Sequence, residues 1–371
     1  VIIIRILQII SGNDNGGGAR HVLNICSNNI FDMKSSIVTI GKGFLYDVAI
    51  KNNIEVVNFA YKDILGEKFL NYLKRNDIDI LNFHGAKSNF LYSVINRKLN
   101  IPCAVTVHSD YRYDFLNNKL KKYIYTPLSI RGLKKFDNYI CVSNYLKNLL
   151  DKSNFTGNKY VVNNGINFNS PKIVLARDDL RMEFNINKDD FVYVMVARMH
   201  PIKNHDTLIR AFYMLQDQFS DTKLLLVGDG ELEESLKHMV EDLKMKDKVI
   251  FTGFKNNVLD FINASDISIL TSFNEGGAPP LVVLESALLK KTVICSDVGD
   301  MNLIVNSKNG YLINPKDKKD IYNKMEKAYL NRDKLGVVGD NFYRDMLNGF
   351  SMKKFWENYY KTYLHILGGV K

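Results

Sequence analysis

The chain has 371 residues, of which 46% are hydrophobic and 24% charged, and carries a net charge of +10 at pH 7. This length exceeds what one hydrophobic core usually organises, so two domains are expected, with the composition of a soluble globular protein. The absence of any run of about 18 uninterrupted apolar residues argues against a membrane-spanning helix. Cysteines 26, 103, 141 and 295 are too scattered for a metal or redox motif and fit a reduced cytosolic protein.

The first ten residues are apolar, broken by Arg5, and lead into a glycine-rich loop instead of a small-residue cleavage site. They read as a buried first strand over 2–10 and not as a secretory signal. Further strands are expected at 36–40, 54–59, 78–83, 102–107 and 138–142, with helical stretches such as 17–29, 66–75 and 88–99 between them. A polar, turn-prone segment at 165–175 (Asn167-Phe-Asn-Ser170-Pro171) then separates two halves. In the second half, strands at 191–197, 222–227, 248–252, 267–271 and 292–296 alternate with helices at 204–218, 231–244, 256–263 and 280–289. Phe350–Tyr363 forms an amphipathic helix with Ser351 placed to cap it. This is the βα alternation of a parallel, doubly wound sheet, and it occurs twice.

Several motifs fall where such sheets hold ligands. Gly12-Asn-Asp-Asn-Gly16-Gly17-Gly18-Ala-Arg20-His21 follows the first strand and opens a helix. Its amides suit a phosphate, although it is neither G-x-G-x-x-G nor a Walker loop, and a plain turn fits it equally well. His84 and His108 end successive strands, where crevices open. His21 is expected to pack or hydrogen-bond locally. Arg198 and Lys203 stand five residues apart at a strand's carboxyl end, within reach of one diphosphate or simply solvated. Gly228-Asp-Gly230 lacks a third glycine and does not support dinucleotide binding. Glu275-Gly276-Gly277-Ala-Pro-Pro280-Leu281-Val-Val-Leu-Glu285 precedes and enters a helix. Its glycines free amides for anionic oxygens, and its two glutamates are costly to bury unless paired or bound to ligand.

Charge is uneven. Residues 1–170 hold 22 Lys and Arg against 12 Asp and Glu, whereas the remainder balances at 28 each. A one-sided basic surface points to an anionic partner. Lys119, Lys121 and Lys122, followed by Arg131, Lys134 and Lys135, flank aromatic residues in a segment suited to anionic lipid. No motif supports nucleic-acid binding.

Taken in order, these motifs resemble glycosyltransferase family 4, the retaining enzymes of the GT-B fold. Thr106-Val-His108, Cys141-Val-Ser143, Val162-Asn-Asn164-Gly165-Ile166, Val196-Ala-Arg198, Lys203, Leu226-Val-Gly228-Asp-Gly230, Phe251-Thr-Gly253 and Phe350-Ser351 all appear in the family's sequence. The resemblance implies an α/β architecture of two Rossmann-like doubly wound domains facing across a cleft. The first spans 1–168 with a returning C-terminal helix in 346–371, and the second spans 172–345. It implies a hexosyltransferase that moves a sugar from a nucleotide diphosphate sugar, UDP-linked by preference, to a glycan or lipid-linked acceptor in bacterial surface polysaccharide synthesis, without a metal or other cofactor. By the same resemblance Arg198 and Lys203 bind the diphosphate, assisted by Gly17, Gly18, Gly276, Gly277 and Leu281. Glu285 holds the ribose, Glu275 faces the donor sugar, His108 lies beneath it, and His84 and Arg20 stand on the acceptor side. A cytoplasmic protein, peripheral on the membrane's inner face, is the expected setting. Nine residues separate Glu275 from Glu285 where the family usually has seven, and the loop is expected to absorb the difference. A nucleotide-sugar epimerase of the same fold and a catalytically silent binding protein are the alternatives.

Overall fold

The computed structural model describes residues 3–27, 31–113, 119–169, 171–277 and 279–368, with side chains at 113–125 outside the description. Two compact units result. Unit 1 comprises residues 1–165, 276–278 and 352–371, and unit 2 comprises 166–275 and 279–351.

Unit 1 is built on a parallel sheet of β1 (Ile4–Ser11), β2 (Met33–Ile40), β3 (Val56–Phe59), β4 (Ile80–His84), β5 (Cys103–Val107), β6 (Asn138–Cys141) and β7 (Asn158–Val161). Their order is β3-β2-β1-β4-β5-β6-β7. Strand β1 shows why the sequence reads as an almost unbroken apolar run. Ile4, Ile6 and Ile10 enter one core layer while Leu7 and Ile9 enter the other, so both faces of the sheet are covered. The helix Met352–Ile366 covers the first layer, burying Phe355, Tyr359 and Tyr363 at four-residue spacing against it.

Unit 2 repeats the plan with β8 (Phe191–Val196), β9 (Thr222–Val227), β10 (Val249–Phe251), β11 (Ile267–Leu270), β12 (Val293–Ser296) and β13 (Tyr311–Ile313), ordered β10-β9-β8-β11-β12-β13. In both units the strand order reverses beside the unit's first strand: between β1 and β4, and between β8 and β11. That reversal opens a crevice at the carboxyl ends of the two strands.

Two strands, β7 and β13, escape a reading of the sequence by pattern. Each is three or four residues long and lies at a sheet edge. So short a run shows no period, and neighbouring strands rather than intrinsic preference hold it in place. Helices Lys318–Leu330 and Leu335–Phe350 also go beyond the elements expected from pattern. The glycines at 228 and 230 serve packing: a Cβ added there would stand 2.2 Å from the Ala197 carbonyl oxygen and 2.5 Å from that of Met199. They let the loop after β9 press against the loop after β8.

Candidate functional site

In unit 2 the strand-order reversal is occupied by an ion pair. Strand β8 ends at Val196, and a short 3-10 turn, Pro201–Lys203, leads into the helix His205–Gln216 through Asn204 in the left-handed conformation. The Asn204 amide donates to the carbonyls of Thr271 and Pro315 at 3.2 and 2.7 Å. The Thr271 hydroxyl lies 3.1 and 3.2 Å from the carbonyls of Lys203 and Asn204. The turn after β8 is thereby fastened to the segment after β11. Lys203 Nζ then lies 2.7 and 2.8 Å from the two carboxylate oxygens of Glu275. The Glu275 side chain is only 8% exposed and that of Lys203 24%.

Arg198 differs. Its side chain is largely exposed and stands 3.8 Å from Glu231, which His200 also approaches at 3.6 Å. So loose a surface pair contributes little to stability and leaves the guanidinium available. Glu285 sits half-buried on the helix Leu281–Leu288, which Leu281 opens. Gly276 and Gly277, between Glu275 and that helix, have φ of +66° and +91°, a conformation glycine adopts without a steric penalty.

In unit 1 the glycine loop follows β1 and its helix begins at Gly17, with no acidic residue in the first turn and no side-chain cap. Gly17 has open space around it, whereas a Cβ on Gly18 would lie 3.7 Å from the His108 ring. Arg20 is exposed on the same helix. Below the loop lies a buried polar network. Gln8 Oε1 accepts from Asn82 Nδ2 at 2.9 Å and from His84 Nε2 at 2.8 Å. Asn82 Nδ2 also lies 2.9 and 3.0 Å from the Thr106 and Tyr363 hydroxyl oxygens. Since His84 carries its proton on Nε2, its bare Nδ1 accepts from His108 Nε2 at 2.9 Å. The chain therefore fixes His108 as the Nε2–H tautomer, with Nδ1 left as an acceptor.

His84 is 1% exposed with both ring nitrogens engaged, so it acts through His108 and offers no surface of its own. His21 packs, as expected, against Phe355 and Tyr359, but its hydrogen bonds are not local in sequence. Its partners are Asn164 at 2.6 Å and the Tyr359 hydroxyl at 2.5 Å, both distant in sequence, and its ring meets His108 edge-on at 4.8 Å between centroids. Burial lowers the pKa of all three histidines, that of His108 to about 4. Of the three, His21 and His84 are buried, whereas His108 as a residue is intermediate in exposure. Gln8, Asn82 and Tyr363 are members of this network that reading by motif missed. The available signal was a polar residue inside an otherwise apolar buried strand, as at Gln8 and Asn82.

The basic segment is only partly described. Lys119, Lys121 and Lys122 belong to the helix Lys119–Leu133, but their side chains lie outside the described residues. Arg131, Lys134 and Lys135 are exposed, yet Lys134 lies over the Phe155 ring at 5.6 Å and Lys135 donates to the Ser93 carbonyl at 2.8 Å. Among the described residues, no helix is long and apolar enough to cross a membrane.

Comparison with known proteins matches residues 176–344 to the family described as glycosyl transferases group 1 and residues 51–170 to glycosyltransferase family 4. The Escherichia coli UDP-Gal:alpha-D-GlcNAc-diphosphoundecaprenol alpha-1,3-galactosyltransferase is 28% identical over 76% of this chain and 74% of its own. The alpha-monoglucosyldiacylglycerol synthase of Streptococcus pneumoniae is 27% identical over 67% of this chain and 58% of its own. Among solved structures, a Rickettsia africae glycosyltransferase superposes with a TM-score of 0.82 at 19% identity, covering 99% of both chains. Anabaena HepE in complex with UDP superposes with a TM-score of 0.80 at 18% identity, covering 98% of this chain and all of that one.

Proposed function

The chain is a glycosyltransferase of the family 4 type with the GT-B fold, and we propose that it is a retaining enzyme moving a hexose from a UDP-sugar to a lipid-linked or glycan acceptor in surface polysaccharide synthesis. The observation that carries the proposal is the Lys203–Glu275 pair at the reversal between β8 and β11. In this reading Lys203 turns from Glu275 to the donor diphosphate, and the exposed Arg198 joins it. Two cations there offset the charge that develops on the leaving group. Glu285 accepts hydrogen bonds from the ribose hydroxyls, beside Leu281 and the Gly276 and Gly277 amides. For unit 1 the proposal assigns the Gly17 and Gly18 amides and His108, whose ring burial holds neutral, to the donor and Arg20 to the acceptor.

An acceptor hydroxyl attacks the anomeric carbon from the leaving-group face. The bond from that carbon to the diphosphate oxygen breaks, and the departing phosphate takes the hydroxyl proton. Glu275, relieved of Lys203, faces the sugar. The choice of UDP and of an acceptor carried on lipid follows the names of the Escherichia coli relative and of the HepE complex. Docking to anionic lipid belongs to the same proposal. It rests on Arg131 and the three lysines at 119, 121 and 122, because Lys134 and Lys135 are engaged within the unit.

A screen of nucleotide sugars for donor hydrolysis and transfer tests the reading. Turnover of a UDP-sugar, with the α-linkage retained in the product's NMR spectrum, is expected. If no nucleotide sugar is bound or turned over, the proposal fails.

A further inference from the structure

Unit 2 opens onto a cavity of about 620 Å³ at the amino ends of β8, β9, β11 and β12, the end of the sheet opposite to Lys203 and Glu275. That volume falls within the roughly 300–1,000 Å³ of pockets that hold small molecules. None of its lining residues takes part in the function proposed above.

One corner of the lining is short of negative charge. Arg177 Nη1 and Lys291 Nζ both donate to the Ser265 carbonyl, at 2.8 and 2.7 Å, so two cations share one neutral acceptor. The carboxylate beside them, Asp266, is already filled. Its Oδ1 accepts from Arg177 Nη2 at 2.7 Å, and its Oδ2 from Arg181 Nη2 at 3.0 Å and the Val192 amide at 2.8 Å. Lys291 thus has a carbonyl for a partner and makes no ion pair among the described residues. The charges acting on it are those of Arg177, Asp266 and Arg181, so three cations meet one carboxylate. Burial, and after it Arg177, pushes the pKa of Lys291 down to about 8. A partly buried cation without a counter-ion costs free energy until an anion reaches it.

The rest of the lining is acidic and narrows the class of anion. Asp190 accepts from the Asn187 amide at 2.8 Å, and Asp221 from the Tyr329 hydroxyl at 2.7 Å. Asp189 and Asp333 are exposed, and neither side chain has a partner among the described residues. Of the other lining cations, Lys188 is exposed, Lys290 is held by Asp340 at 2.9 Å, and Arg332 lies over the Tyr329 ring at 4.5 Å. A second phosphate would meet these carboxylates as like charges, whereas hydroxyl groups would donate to them. The lining suits one phosphate joined to a polyhydroxy body.

We propose that this cavity is a binding site for a small sugar monophosphate, its phosphate seated against Arg177 and Lys291 and its hydroxyls met by the aspartates. The assignment is independent of the UDP-sugar reading, and the binding it asserts is measurable without turnover.

Isothermal titration calorimetry on the full chain would use glucose 6-phosphate, galactose 6-phosphate and ribose 5-phosphate, with glucose, inorganic phosphate and fructose 1,6-bisphosphate as controls. At least one monophosphate is expected to bind once per chain, about tenfold or more tightly than every control, and equally well with UDP present at saturation. Lys291→Met is expected to weaken it about tenfold or more, the value of one charge-assisted hydrogen bond. Gly336 lines the cavity where an added Cβ meets open space. Gly336→Trp is therefore expected to melt like the wild type and to abolish binding, and it decides the matter alone if Lys291→Met does not fold. No binding of a monophosphate to the wild type, binding matched by inorganic phosphate or the bisphosphate, displacement by UDP, or equal binding to the wild type and a folded variant would each overturn the assignment.

Discussion

Lys203→Ala is expected to damage unit 2 as well as donor binding, and a double-mutant cycle with Glu275→Gln separates the two effects. Both carboxylate oxygens of Glu275 lie within 2.7–2.8 Å of Lys203 Nζ, and the glutamate side chain is 8% exposed. Removing one partner of a fully buried pair costs about 3–5 kcal/mol. Lys203 is 24% exposed, so water screens the pair and the expected loss falls to about 1.5–3 kcal/mol. For a unit of this size that corresponds to a melting-temperature drop of about 3–12 °C. Adding Glu275→Gln removes the stranded carboxylate, so the double variant should recover part of the loss, with a coupling of about 1–2 kcal/mol. Urea unfolding of the four proteins without nucleotide measures this directly. Transfer activity should fall by about 10²-fold or more in Lys203→Ala and stay low in the double variant, because the leaving-group charge is then uncompensated. A coupling below about 0.5 kcal/mol would refute the reasoning, since it would mean that Lys203 meets Glu275 no more tightly than two surface charges meet.

The remaining predictions concern protons, glycines and lipid. His108 and, in unit 2, His205 are both held down to about 4 by burial, against about 6.5 in an unfolded chain. Between those values the unfolded chain binds more protons than the native one, so stability is full above about pH 6.5 and is lost as pH falls toward 4. The slope should reach at most about 1.4 kcal/mol per pH unit for each histidine, and a urea midpoint unchanged between pH 7 and pH 5 would contradict a neutral buried network. Gly12→Ala places a Cβ 2.0 Å from the Gly41 backbone oxygen, and should destabilise by about 1–3 kcal/mol. Gly17→Ala meets open space, so it should melt like the wild type yet bind UDP-sugar more weakly, as calorimetry would show. Flotation with vesicles rich in anionic lipid should carry the protein upward at low salt and release it at high salt; no binding at low salt would remove the membrane from the proposal.

The sequence by itself determined the architecture and the order of the parts. Buried parallel strands need apolar residues on both faces, so runs such as Ile4–Ile10 and Leu224–Val227 stand out without any partner. The glycine loop, Arg198, Lys203 and Glu275 stood out as candidates for a related reason: they follow those strands in the chain, and a strand's carboxyl end has a fixed place in a doubly wound sheet. Tertiary structure decided what the sequence kept apart. Lys203 and Glu275 are 72 residues distant, and only the reversal between β8 and β11 brings them within an ion pair. The tautomer of His108 depends on Gln8, Asn82, His84 and Tyr363, drawn from two strands and the last helix. A hydrogen-bond network of that kind leaves no period in the sequence, because each member is an isolated polar residue whose partner is chosen by the packing of the sheet.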